Sequence, residues 1–527
     1  MKKIILLLIL SFSLLIAQED NSQGIELPDF VITGNENITV PKMQKSLPIL
    51  IPLLSKDFFT PLNISDDQTS IALPNFENQT VSIPKYLQLT NAMLRLNAGL
   101  HTWPSGEFYF NDWTGNLSYN AHLFGLNELE YVNNAGLSFA GIGLGSKYFV
   151  DHESDFLPGL EIDLHGKYLY ESYNFYGSDN ENLERITNDG LVSLSFNFAT
   201  DSYRKFGLAL NNEYYKQKDD AISENIFSAN AYVKLKLINF DFLLDGGFKN
   251  QSINSDEYSK GNNSIFNTSA SLAFYPFSFL YVKGGIYFAE SEGNTFFAPN
   301  AYASIKFNKS FSMFGELAPS TEFLTLSDFR KNNRYFRLNN FVNLFLENKF
   351  NLKVAAKYEY EKYFEISGGF GYVNSDNNFY FEDDSLNGIF TIHRDDTEKA
   401  FAYLNFLFRK GPFGEFYGNL ILQNISGSNA KDLPYNSSTI LDLSYSYNWT
   451  NFGVNVTLNY SGKTYTDIEN KNEIPEFANI NANFTYELFE NFDLTLSLQN
   501  LLNDKYYYFR NYKAKPFDLI AGFEFRW

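Results

Sequence analysis

The last eleven residues, Phe517 to Trp527, alternate with a period of two up to the very end of the chain. Phe517, Leu519, Ala521, Phe523, Phe525 and Trp527 share one face, while Asp518, Gly522, Glu524 and Arg526 share the other, with Ile520 the one exception. A period of two is the side-chain period of a β-strand. A strand with one apolar and one polar face can set the first against lipid and the second against a wet interior. Such a strand crosses a bilayer only within a closed sheet, because hydrocarbon leaves no partner for an unpaired N–H or C=O.

The alternation recurs upstream. Phe492, Leu494, Leu496 and Leu498 alternate with Asp493, Thr495, Ser497 and Gln499, and Ala478, Ile480, Ala482, Phe484 and Tyr486 alternate with Asn479, Asn481, Asn483, Thr485 and Glu487. Residues 452–460, 441–449, 352–360, 266–274 and 160–170 read the same way. Short links at 490–491, 450–451, 347–349, 308–310 and 275–278 interleave with long polar stretches at 250–264, 318–335, 383–398, 425–437 and 463–475. Tight turns on one side and long loops on the other describe an outer-membrane barrel with its tight turns in the periplasm. The expected fold class is therefore all-β: an antiparallel transmembrane outer-membrane barrel over residues 89–527, of about 22 strands (range about 18 to 24). The least regular stretches are 91–124 and 364–394.

Composition agrees. The chain has 54 Phe, 36 Tyr and 4 Trp among 527 residues, yet its mean hydropathy is slightly polar at -0.27. Alternating lipid-facing and lumen-facing residues give that combination; a soluble sandwich would hide its apolar faces with fewer aromatics. Zero cysteines exclude disulfides and thiolate chemistry, and a formal net charge of -20 argues against nucleic acid as a partner.

The N-terminus directs export. Met1-Lys2-Lys3, the apolar run Ile4 to Ile16 and the small residue Ala17 have the layout of a signal peptide spanning 1–17. No second apolar run is long enough for a transmembrane helix. Outer-membrane lipid is then the expected surroundings, and the cell outer membrane the expected location.

Enzyme chemistry finds little support, and no cofactor or metal is expected. His101, His122, His152, His165 and His393 are scattered without metal-ligand spacing, and His165 is expected to face the lumen. Asp383-Asp384 and Asp395-Asp396 fall in an expected outer loop and lack the spacing of a calcium loop.

The segment Leu498-Gln-Asn-Leu-Leu-Asn-Asp-Lys-Tyr-Tyr507, followed by an aromatic loop with Pro516 and the terminal strand, resembles the last two strands of TonB-dependent receptors. Residues 364–372, with the aromatic stretch 378–381 beyond them, are similar to mid-barrel strands of that family. The resemblance covers about four fifths of the chain and implies a ligand-binding or ligand-transporting outer-membrane barrel. It implies ligand contacts in the outer aromatic loop, at Tyr506, Tyr507, Tyr508, Arg510 and Tyr512. Glu26 to Gly34 resembles the family's TonB box. That likeness implies strand addition of Asp29, Phe30, Val31, Ile32 and Thr33 to an energy-coupling periplasmic protein. The alternative is a short strand in the barrel mouth.

The family's large N-terminal plug has no counterpart here. Residues 18–88 are an extended segment punctuated by Pro28, Pro41, Pro48, Pro52, Pro61, Pro74 and Pro84, with an apolar centre at 47–54. They are expected to fill the lumen in place of a plug, since nothing else in the chain reads as long enough to obstruct it. A second function stays open: a passive or structural barrel whose N-terminal segment docks a periplasmic or other envelope partner.

Overall fold

The structure, a computed structural model, describes residues 91–527 except 152, 156, 200–203, 238, 257–260, 339–344, 362 and 410–412. The expected signal peptide, the Pro-punctuated segment and the TonB-box-like residues 29–33 lie outside the described residues. Twenty-two antiparallel strands form one closed sheet. The first strand, Ala92–Gly99, pairs with Thr102–Thr114 on one side and with the last strand, Asp518–Arg526, on the other. At this seam the Trp527 carbonyl accepts from the backbone N–H groups of Asn91 and Ala92 at 2.9 and 3.0 Å.

The alternation read from sequence becomes the two faces of the wall. Val192, Leu272, Phe370, Leu404, Leu422 and Leu494 stand exposed on the outside, as residues facing lipid rather than water should. Lumen-facing positions are polar, including Asn455, Thr457, Asn479, Asn481 and Asp493. Across the seam Arg95 donates to Glu524 and Glu107, and Arg526 donates to Glu524 and Asp493, so the inner side of the closure is a charge network. Ile520, the apolar exception in the terminal strand, lies on this inner face and is buried.

Connections on the side of the chain termini are short. Asn308 caps one of them, its side-chain oxygen accepting from the N–H groups of Ser310 and Phe311 at 2.8 Å. Asn491 supplies a positive φ of 70° in another, a conformation asparagine tolerates better than most residues. Trp113, Phe279, Phe307, Tyr363, Phe413 and Trp449 are exposed around this rim. They form the aromatic belt that marks a membrane interface.

Three connections differ from the sequence reading. Residues 347–349 are part of the strand Phe345–Tyr360 rather than a turn, with a bulge between Asn348 and Phe350 that interrupts the alternation. Residues 390–398, expected in a loop, belong to the strand Phe390–Arg409, so Asp395 and Asp396 are strand residues. Within 250–264 the strands Phe240–Asn254 and Gly261–Phe277 leave only 255–260 between them.

Strand length varies around the barrel. Phe364–Glu382 has 19 residues and Phe390–Arg409 has 20, whereas Ala92–Gly99 and Phe492–Gln499 have 8 each. Since about 9–11 residues cross a bilayer, the long strands continue beyond it as a raised collar opposite a low wall at the seam. The topology is checked by impermeant thiol labelling of intact cells. Single cysteines replacing Ser428 and Lys471 should label and one replacing Asn451 should not; equal labelling of all three would reverse or abolish this orientation.

Candidate functional site

The raised collar holds up a lid. The strand Phe345–Tyr360 is preceded by a long loop containing a short strand, Ser320–Phe323, and a helix, Leu326–Asn332. Thr325 starts the helix as a capping box: its hydroxyl accepts from Asp328 N–H while the Asp328 carboxylate accepts from Thr325 N–H. The helix lies against the inner wall. Leu326 N–H donates to Glu224 at 2.9 Å, Ser327 Oγ donates to Asp189 at 2.6 Å, and Arg330 pairs with Glu171 and Asp189. Beyond the helix, Arg185 of the wall donates to the carbonyls of Arg334 and Phe336 while pairing with Asp219 and Asp220. Its guanidinium is fully buried between the rings of Phe175 and Phe336, 4.7 and 5.3 Å from their centroids.

On its other side the loop joins a buried aromatic cluster. Phe329, Tyr335 and Phe336 pack with Phe175, Phe390, Tyr435, Phe509 and Tyr512, which come from other loops and strand ends. Tyr335 stacks on Tyr512 with centroids 3.5 Å apart. Tyr512 Oη donates to the Gly388 carbonyl at 2.7 Å, and Asp179 N–H donates to the Asn387 carbonyl at 3.0 Å. The last contact joins the connection after the fifth strand to that after the fifteenth. Ten strands, the sixth to the fifteenth, separate them on one side and the other twelve on the other, so the loops meet across the mouth. The approach needs glycine: Gly388 has φ +78°, and a Cβ there would lie 2.3 Å from the Gly177 carbonyl oxygen. Asp383 fixes that turn by accepting from the N–H groups of Asn387 and Gly388.

Between the lid and the low wall is a cavity of 460 Å³. Seven tyrosines line it, Tyr131, Tyr173, Tyr176, Tyr335, Tyr506, Tyr508 and Tyr512, together with Arg330, Lys331, Arg334 and Lys515. Glu128, the one acidic residue in the lining, pairs with Lys515 at 2.9 Å. The Lys513 carbonyl accepts from both Tyr131 and Tyr176, whose hydroxyls are 3.2 Å apart. Burial, more than any neighbouring charge, pushes the Tyr131 phenol up to about 12, and burial likewise raises Tyr176, Tyr335 and Tyr512. These hydroxyls are thus neutral donors at physiological pH.

Of the outer-loop residues expected to meet ligand, Tyr506, Tyr508 and Tyr512 line this cavity. Tyr507 is exposed on the other side of the same short hairpin, and Arg510 is not in the lining. The loop is held by Asn500, which accepts from Asp504 N–H and donates to the carbonyls of Asp504 and Lys515, with its own N–H bonded to Asn481. Asn500 and Asn503 both adopt positive φ, so the Asn-Leu-Leu-Asn segment has a backbone reason for its asparagines. Ser327, in a stretch expected to be an exposed loop, is instead buried against Asp189. No motif or spacing marked Arg330, Arg334 or Arg185 as site residues. Arg185, Asp189 and Glu171 lie on the strands Glu184–Ala199 and Leu160–Asn174, and nothing in their alternation names the loop that meets them. Among the described residues no group of three or more His or acidic side chains is placed to hold a metal; His393 hydrogen-bonds Asp384 and Thr391 on the surface.

The closed 22-strand barrel with its lipid-facing belt is an outer-membrane barrel of the kind found in TonB-dependent receptors. In fold it is similar to the ferric-catecholate import receptor Fiu of E. coli K12 in its closed form, with a TM-score of 0.65 at 10% identity over 83% of this chain and 82% of that one. It is also similar to the siderophore receptor PiuA of Acinetobacter baumannii (TM-score 0.61, 11% identity, 83% and 82% covered). The FrpB iron transporter of Neisseria meningitidis gives a TM-score of 0.63 at 11% identity over 83% and 81%. No family model and no curated protein matches the sequence.

A raised phenol pKa favours the neutral form in the folded state. The Tyr131 contribution to the stability of the packed outer loops is therefore complete below the ordinary tyrosine value of about 10 and is lost as the pH rises through about 12. The difference between ultraviolet titrations of the parent and Tyr131→Phe should be one step centred near 12; a step at the ordinary value would place this hydroxyl in water.

Proposed function

We propose that this chain is an outer-membrane receptor that binds a small anionic ligand in the cavity beneath its outer loops for transport across the membrane. The observation that carries this reading is the lining: four cations and one carboxylate in a chain whose net charge is -20. Arg330, Lys331, Arg334 and Lys515 line the cavity while their partner carboxylates Glu171, Asp189, Asp328 and Asp518 lie outside the lining, so an anion meets the positive side of these pairs, and seven tyrosines add flat apolar faces. The fold neighbours whose names specify a siderophore or a ferric catecholate support the same class, because such chelates combine aromatic or polar faces with negative charge. Arg334 and Lys515 would pair with the ligand's negative groups, and Tyr506 and Tyr508 would pack its faces.

The purified full-length protein should quench its intrinsic fluorescence on titration with a ferric catecholate chelate. The double change Arg334→Gln and Lys515→Gln should weaken that binding by roughly 10- to 100-fold, as expected for losing two charge-assisted contacts. A neutral chelate of the same size should bind poorly to both proteins. Equal binding of parent and variant would remove the cavity from the ligand's path.

Transport would be energised through residues 29–33, by strand addition to a periplasmic coupling protein. Strand addition depends on main-chain hydrogen bonds, so Ile32→Pro should abolish crosslinking from a photoprobe at position 30 in cells, while Ile32→Val should leave it unchanged. Crosslinking to a different envelope protein would favour the docking-barrel alternative, and none at all would leave the segment without a periplasmic partner.

A further inference from the structure

We propose that the external permeability barrier of this barrel is its own loop 318–338, latched to the collar by the buried Arg185, rather than the N-terminal segment. A barrel of 22 strands spaced about 4.8 Å apart and tilted about 40° is roughly 40 Å across, an aqueous pore unless something fills it. The described loops meet across that width. The contact of Asp179 with Asn387 joins loops from opposite sides of the mouth, and that of Tyr512 with Gly388 adds the loop after the twenty-first strand, over a dry aromatic cluster.

The two sides of loop 318–338 are held differently. Toward the centre it is held by apolar packing of Phe329, Tyr335 and Phe336, which excludes water and ions. Toward the wall it is held by charge. Arg185 uses its donors on two carboxylates of the neighbouring hairpin and two carbonyls of the loop, so its removal leaves Asp219 buried without this cation and two loop carbonyls without their donor, while Asp220 keeps Arg337 of the loop at 3.4 Å. Uncompensated buried charge is strongly unfavourable, and the relief available is for the loop to leave the collar and let water in. The loop lies over the lumen whatever ligand the cavity takes, and it supplies an obstruction besides the one expected of residues 18–88.

The test is single-channel conductance of the full-length protein in planar bilayers, with heat-modifiable gel migration confirming a folded barrel in every sample. The parent should be nearly closed. Arg185→Ala, and separately Gly388→Val, which wedges the loop contact apart, should each raise mean conductance roughly tenfold toward that of an open barrel. Gly388→Val alters no barrel strand and loosens the two loops that pack on the lid through Phe175 and Phe390, so it reports on the lid even where loss of Arg185 lowers the yield of folded protein. Asp179→Cys with Asn387→Cys in the Arg185→Ala background should restore the closed level when oxidised and lose it on reduction. Deleting residues 36–88 alone should leave conductance near the parent's. Folded Arg185→Ala and Gly388→Val proteins that both stay closed would overturn the proposal, as would a barrel opened fully by the N-terminal deletion. Opening by Gly388→Val alone would keep the lid as the barrier and remove Arg185 as its latch.

Discussion

Everything in this molecule rests on closure of the sheet. Within a bilayer an unpaired backbone donor or acceptor costs several kcal/mol, so the strand Ala92–Gly99 must find Asp518–Arg526, more than four hundred residues away in the chain. Paired Arg95 and Glu524 mark the inner side of that seam and the aromatics Phe525 and Trp527 its outer side. With closure made, the wall becomes a rigid frame. Its long strands can then carry a collar above the membrane, and the collar gives the loops a surface to fold against.

The lid and the cavity are built from the same residues. Arg330 and Arg334 both reach Glu171 on the wall while also lining the cavity. Tyr335 and Tyr512 stack on one another in the lid and face the cavity as well. An anionic ligand in the cavity would therefore compete with Glu171 for the cations that hold the loop. Under that proposal, site occupancy and loop position would be tied through shared side chains, with no longer pathway required.

The reading of the loops as solvated polar connections was the weakest part of the sequence argument, for a physical reason. Residues 318–335 are polar enough to suit water, but Ser327, Arg330 and Arg334 spend that polarity on Asp189, Glu171 and the carbonyl-to-Arg185 contact instead. A polar side chain in sequence looks the same whether its partner is water or a buried carboxylate on a distant strand. The turn expected at 347–349 has a different cause: between Asn348 and Phe350 a bulge breaks the period of two, and a break reads as a turn.

The sequence by itself determined the closed antiparallel barrel, a strand number of about 22 within a range of about 18 to 24, the two faces of the regularly alternating stretches such as 478–486 and 517–527, and the side bearing the short turns. Those properties are local: they follow from a period of two and from turn residues such as Asn308 and Asn491, which act within a few residues of themselves. Three of the aromatic-loop residues, Tyr506, Tyr508 and Tyr512, were also legible as site candidates because a dense run of tyrosines stands out in any loop. Only the tertiary structure decided that the loops meet across the mouth, that Arg185 is buried at the lid's edge, and that Arg330, Arg334 and Lys515 share one cavity. Those features join residues far apart in the chain through partner choice, and no period or spacing in a single sequence encodes which partner a charged side chain takes.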